Sequence, residues 1–211
     1  QLDLLKQVNA RHQELRPHEA DLAARLESFE LAYRMQTAAP EALDVQDESE
    51  VIQKMYGVDQ KETELVAKQC ITARHMVERG VRFIQIYAGT NGGGGGVADV
   101  PWDGHSDIGL NHRIAAKSVD QPIGALLADL KARGLLDSTL VVWGGEFGRT
   151  SDSQGSQGRD HNPNAFTMWM AGGGIKGGVQ YGASDDFGYK AVHNRVGVND
   201  LHATLLYLMG I

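Results

Sequence analysis

The stretch TLVVWGGEFGRT, residues 139–150, decides the fold reading. Leu140, Val141, Val142 and Trp143 form an unbroken apolar run that stops at two glycines and then presents Glu146 and Arg149. Such a run suits a strand covered on both faces, as in a parallel sheet. A carboxylate set directly after a buried strand, between glycines, has no packing purpose, so Glu146 reads as functional. Its ordinary alternative is a salt bridge to Arg149, three residues on.

Working outward, residues 81–87 are a β-branched and aromatic run directly after Gly80 and predict another strand. A loop with five successive glycines, Gly92 to Gly96, follows it; without the phosphate-cradling G-x-x-x-x-G-K-[ST] arrangement it reads as a lid. Residues 111–133 predict a helix with Ile123, Leu126, Leu127 and Leu130 apolar, Pro122 kinking or restarting it and Gly134 ending it. Residues 166–171 predict a third strand, and 177–181 a short fourth. Residues 199–209 predict a closing helix capped by Asn199 or Asp200, with Leu201, Leu205 and Leu208 on one face.

The first 80 residues read as helices. Leu22, Leu26, Phe29 and Tyr33 share one face, with Pro17 at a first-turn position, and core packing is the expected use of that face. A second pattern over 62–79 turns Leu65, Val66, Cys70, Ala73 and Val77 inward, with Asp59 and Glu62 as a capping pair. Between them, the acidic 38–49 segment with Pro40 suits a surface connection. The whole predicts a single α/β domain over 1–211: a mainly helical part at 1–80, then an α/β core at 81–211 with a mostly parallel sheet flanked by helices. In such a sheet, functional loops gather at the carboxyl ends of the strands.

Composition limits the function. The chain of 211 residues carries a formal charge of -7, and the excess is uneven: residues 1–50 hold 11 acids and 5 bases, which leaves 27 − 11 = 16 acids and 20 − 5 = 15 bases elsewhere. No basic stripe offers itself to a nucleic acid. No run of eighteen apolar residues predicts a membrane span, and no secretory signal is present. The single Cys70 allows no intrachain disulfide. The chain opens on Gln1 and stops at Ile211 directly after an apolar helix, which leads us to expect a piece of a longer protein.

Comparison of the loops after the predicted strands shows where chemistry concentrates. One carries Trp102-Asp103-Gly104-His105; the others carry Glu146 to Thr150 and Arg159-Asp160-His161. Three segments thus deliver Asp, Glu and His to one rim, the donor chemistry of divalent ions. Asp103 and His105 are two apart, so in an extended loop they share a side and can chelate together. Asp160 beside His161 suits a ligand or a group that orients the imidazole. His193 and His202 can ligate, contact a substrate oxyanion or be structural, whereas His12, His18 and His75 read as surface residues. No G-x-S-x-G elbow exists, and Ser151, Ser153 and Ser156 fall in a polar loop.

These stretches, GEFGRT with RDHN, WDGH and the closing NDLHATLLYLMGI, together resemble the bacterial family called domain of unknown function 1501 over about residues 50–211. That family is usually placed in the alkaline phosphatase and sulfatase superfamily. The resemblance implies Asp103, His105 and His161 as ligands of one metal, zinc first, with manganese, calcium or magnesium as alternatives. Glu146 takes the place of a second-metal ligand, but the neighbouring histidine position is Phe147, which cannot bind a metal. The superfamily's nucleophile lies upstream of every matched segment, so, unless the amino-terminal helices replace it, the resemblance implies either poor metal binding or a metal-bound water as the attacking group. The expectation is a phosphate or sulfate ester hydrolase of periplasmic or exported origin, with a small-molecule ester as partner. In it Glu146 and Arg149 are catalytic, and Arg149, Asp160, His193 and His202 contact substrate. The rival expectation is a non-catalytic scaffold or carbohydrate-binding protein with a degenerate metal site; oligomeric state stays open.

Overall fold

The structure, a computed structural model, describes residues 2–16, 20–88 and 102–211. The five-glycine loop at 92–96, Pro17 and His18 lie outside the described residues. The chain divides into two compact units, Gln1–Asp47 and Glu48–Ile211.

The first unit contains α1 (Leu2–Glu14) and α2 (Ala20–Leu43). Helix α2 runs past position 40, so the connection expected from residue 38 begins only after Leu43. Its expected core face is largely open, with Phe29 at 74% and Tyr33 at 45% exposure. Spacing at 3.6 residues made that face recognisable as helical, but periodicity alone does not supply a surface to cover it.

The second unit is built on three helices, α3 (Glu50–Tyr56), α4 (Glu64–Glu78) and α5 (Ile108–Ala132). Ser49 caps α3 by accepting from the Ile52 amide, and Gly57, at φ +82°, ends it in the left-handed region. Asp59 and Glu62 do not cap α4; Thr63 stands at its N-cap. Val66, Ala67, Cys70 and Ile71 of α4 bury themselves with Tyr56 of α3 and with Ala115, Val119, Leu126 and Leu130 of α5. Leu65, expected inside, is 40% exposed. Burial pushes the Cys70 thiol up to about 12, so it behaves as a small apolar residue. Pro122 lies within α5, which continues through it.

An ionic cluster runs through this helical core. Arg74 of α4, 2% exposed, donates to Glu48, to Glu78 at 2.9 Å and to Asp129 of α5 at 3.1 Å. Asp129 also accepts from Tyr56 Oη at 3.0 Å and from Arg133 at 2.7 Å. His75, read from sequence as a surface residue, is buried with its Nε2 2.7 Å from Glu48. The apolar spacing of α4 gave no sign of this, because the partners come from positions 48 and 129.

The strands overturn the expected sheet. They form three two-stranded antiparallel sheets: β1 (Val141–Trp143) with β4 (Trp169–Ala171), β2 (Gly148–Arg149) with β3 (His161–Asn162), and β5 (Ala183–Ser184) with β6 (Ala191–His193). The register pairs Val141 with Ala171 and Trp143 with Trp169. No mostly parallel sheet flanked by helices exists among the described residues. The physical reason is connectivity. Parallel neighbours need a crossover, usually helical, whereas residues 144–168 hold no helix and simply return the chain. Residues 81–87 form no strand and join no ladder, leaving Phe83 and Tyr87 at 72% and 77% exposure. Only the last part of 166–171 becomes a strand, 177–181 forms none, and Val142 is 38% exposed rather than covered on both faces.

The closing helix α6 (Val198–Leu208) follows Gly197, whose amide donates to Asp200 Oδ2 at 2.8 Å. Asp200 thus serves from the third helical position instead of the cap itself. Among the described residues no helix is long and apolar enough to cross a membrane.

Two outcomes follow from the ionic cluster. Replacing Arg74 by Met strands the Asp129 and Glu48 carboxylates in the core, and denaturant unfolding is expected to show a loss of about 3–5 kcal/mol. Burial alone would push the Glu48 carboxyl up, but hydrogen bonds from His75 and Arg74 hold it below its ordinary 4.5. A carboxyl depressed on folding stabilises the fold above its unfolded value and loses that contribution as pH falls through the folded one. The unfolding midpoint should therefore drop with acidification below about pH 5, and Glu48→Gln should make that drop shallower.

Candidate metal centre

Three segments meet around Asp103. The first, Trp102 to Asp107, is fastened to a tight turn at 154–158 by backbone bonds. The Asp107 amide donates to Ser156 O at 2.9 Å, the Ile108 amide to Gln157 O at 3.1 Å and the Arg159 amide to Gly104 O at 3.1 Å. Gly158 makes this approach feasible: a Cβ there would lie 2.0 Å from His105 O. The turn is closed by reciprocal bonds between Gln154 and Gly158, at 3.0 and 2.9 Å. The other two segments are β2 and β3, whose register sets Arg149 directly opposite His161. Gly148 is needed for the same reason as Gly158, since a Cβ would sit 2.2 Å from Ala165 O.

The result is a triangle of donor atoms. His161 Nε2 lies 2.8 Å from Asp103 Oδ1, His105 Nε2 lies 3.1 Å from the same oxygen, and the two Nε2 atoms are 3.0 Å apart. Among the described residues this is the group of His, Asp, Glu and Cys side chains able to hold a metal ion together. The donor set fits a cation. Ligands about 2.0–2.2 Å from an ion and at right angles about it stand about 3 Å apart, and two imidazoles with a carboxylate suit zinc and other first-row metals better than calcium or magnesium. All three side chains are exposed, so the centre opens to solvent.

Around the triangle, Arg149 donates to Asp103 Oδ1 at 2.6 Å and reaches the carbonyls of Trp102 and Arg159 at 3.4 Å. Hydrogen bonds from Arg149 and then from His161 hold the Asp103 carboxyl down at about 2, ionised throughout the range where a metal would bind. The Phe147 ring stacks on His161 with centroids 4.1 Å apart, and the Arg149 guanidinium carbon sits 5.5 Å over the same ring. Below, Trp102 packs edge-on to Trp143 at 6.4 Å, and Trp143 stacks with Trp169 at 6.3 Å.

Of the residues singled out in the sequence, Asp103, His105, His161 and Arg149 come together. Glu146 does not: it is exposed and outside the triangle, and Arg149, its expected partner, pairs with Asp103 instead. Asp160 lies beside the site but directs its carboxylate to the His161 backbone amide at 2.8 Å rather than to the ring. His193 ends β6 and His202 lies in α6, both exposed and outside the triangle. Sequence reading missed Gln154, whose Oε1 faces His105 Nδ1 at 2.8 Å. It also missed Asn162, 3% exposed, which donates to the carbonyls of Gly188 and Tyr189 and anchors β3. The repeated Gln-Gly pairs at 154–155 and 157–158 were the available signal for a tight turn.

A family model described as "Protein of unknown function (DUF1501)" matches residues 1–211. The chain belongs to that family. The match takes in the first 50 residues of this DUF1501 chain as well as the segments quoted above. No curated protein and no solved structure matches it.

Arg149 has a measurable effect on its partner. In Arg149→Met, the Asp103 carboxyl of the DUF1501 chain should titrate closer to the ordinary carboxylate value than in the wild type, by carbon-detected NMR of the side-chain carboxyl.

Proposed function

We propose that the chain binds one divalent cation through Asp103, His105 and His161 and hydrolyses phosphate or sulfate esters there. The observation carrying this reading is the triangle itself: three donor atoms from two distant segments, Asp103 and His105 in one and His161 in the other, each within 2.8–3.1 Å of the others and open to solvent. Such a cation would supply Lewis-acid polarisation of an ester oxygen and make a water acidic near neutral pH. The chain's own residues do the remainder. Asp103 contributes negative charge, His105 and His161 contribute neutral nitrogen donors, and Arg149, beside the opening, offers donors to a substrate oxyanion. Glu146, exposed on the loop before β2 and outside the triangle, would act as base only on a substrate that reaches beyond the donor set. The exported setting and the kinship with alkaline phosphatases and sulfatases belong to this same reading, which the GEFGRT, RDHN and WDGH segments support.

A second reading has its own observation. Phe147, which by resemblance stands at the position of a second-metal ligand, packs its ring against His161 with centroids 4.1 Å apart, and this favours a one-metal or non-catalytic binding protein. Elemental analysis of the purified chain after exposure to zinc, manganese or iron(II) should show about one ion per chain, and His105→Ala and His161→Ala should each abolish it. A panel of aryl phosphates and aryl sulfates then divides the readings. Hydrolysis lost with the metal supports the enzyme, stoichiometric metal without turnover supports the binding protein, and turnover undiminished in metal-free protein rejects the proposal.

A further inference from the structure

We propose that Gln154 is a positioning residue that keeps His105 protonated on Nδ1 and so presents a bare Nε2 to the cation; the inference rests on the metal reading above. An imidazole offers a metal one nitrogen only if its proton resides on the other, and that choice is made by whatever the second nitrogen touches. For His105 the second nitrogen touches Gln154 Oε1, an acceptor that holds a proton on Nδ1 but cannot supply one.

The surrounding geometry makes this side chain a fixed reference. Its backbone is locked by the reciprocal bonds to Gly158, while the neighbouring Ser156 and Gln157 carbonyls hold the segment that follows His105. Gln157 adopts φ +63° and Gly155 φ +55°, so the turn is a defined left-handed one. The 154–158 turn and the loop of His105 are therefore joined twice, through backbone bonds at neighbouring residues and through the Gln154 and His105 side chains. A metal-free triangle is also consistent with this proton placement. With His105 Nε2 bare, His161 carries the proton on its Nε2 and donates it to Asp103 Oδ1 at 2.8 Å, with His105 Nε2 as a second acceptor at 3.0 Å. The reverse placement would bring the His105 proton near His161 Nε2 and Asp103 Oδ1, an oxygen already shared by His161 and Arg149, and would leave the Nδ1 lone pair facing the lone pairs of Gln154 Oε1 at 2.8 Å.

The test uses the whole chain labelled with ¹⁵N-histidine, without metal and at about pH 8, where histidines are ordinarily neutral. His105 is assigned by its absence from the His105→Ala spectrum. In the wild type its Nδ1 should give the shift of a protonated nitrogen and its Nε2 that of a bare one; in Gln154→Leu the two forms should mix or exchange. Zinc affinity should fall about 10- to 100-fold in Gln154→Leu and be retained or strengthened in Gln154→Glu, which keeps an acceptor. Thermal unfolding followed by circular dichroism should be unchanged, separating orientation from folding. A wild-type His105 protonated on Nε2, or a Gln154→Leu chain with unaltered tautomer and zinc affinity, overturns the inference. Should Gln154→Leu fail to fold, the wild-type tautomer and the Gln154→Glu affinity decide it. A wild-type chain that binds no metal overturns the metal reading instead, and the tautomer alone then decides the role of Gln154.

Discussion

A buried guanidinium is the constraint on which the larger unit depends. Arg74 lies in the carboxyl-terminal third of α4 with almost no access to water, so each of its donors must find an oxygen, and the oxygens come from three separate places in the chain. Apolar contact among α3, α4 and α5 is tolerant of small shifts, because dispersion and hydrophobic burial have little directionality. Hydrogen bonds to a planar fork are not tolerant, and they fix the angle and register at which α5 lies on α4. Ile108, at the start of α5, receives its first constraint from the 154–158 turn, so the same helix that answers to Arg74 also carries the loop holding Asp103 and His105.

At the other end of that helix stands a site assembled from irregular pieces. One short antiparallel ladder, β2 with β3, and the 154–158 turn build it, in place of the parallel sheet that was expected. Each of these pieces is small, and each is held by glycine at the point of closest approach: Gly148 against Ala165 and Gly158 against His105. The charge arrangement is equally compact. One carboxylate oxygen, Asp103 Oδ1, is shared by Arg149, His105 and His161. A cation entering the triangle would meet a carboxylate already polarised by a guanidinium, which weakens its pull, and two imidazoles that are close enough to close around the ion.

How much of this was legible in the residues differs from element to element. That Asp103, His105 and His161 come together was legible because polar residues of metal-binding type clustered in loops, and clustering survives an error in fold. The helices at 62–79 and 111–133 followed from apolar spacing. The sheet was misread for a reason visible within the sequence itself: residues 144–165 have no helical pattern, so the run at 140–143 and the run near 169 could not be parallel neighbours. Residues 81–87 satisfied every local preference for a strand, yet a strand exists only in a ladder, and local preference says nothing about a neighbour. His75 and Arg74 were hidden for a similar cause. Their burial is explained by Glu48 and Asp129, which no spacing rule connects to them.

Gly158 gives the centre an unusual vulnerability. It donates nothing to a metal and carries no charge, yet the turn and the loop touch there so closely that even one methyl group would wedge them apart. A bulkier residue at 158 would therefore part the loop from the turn with Asp103, His105 and His161 all still present.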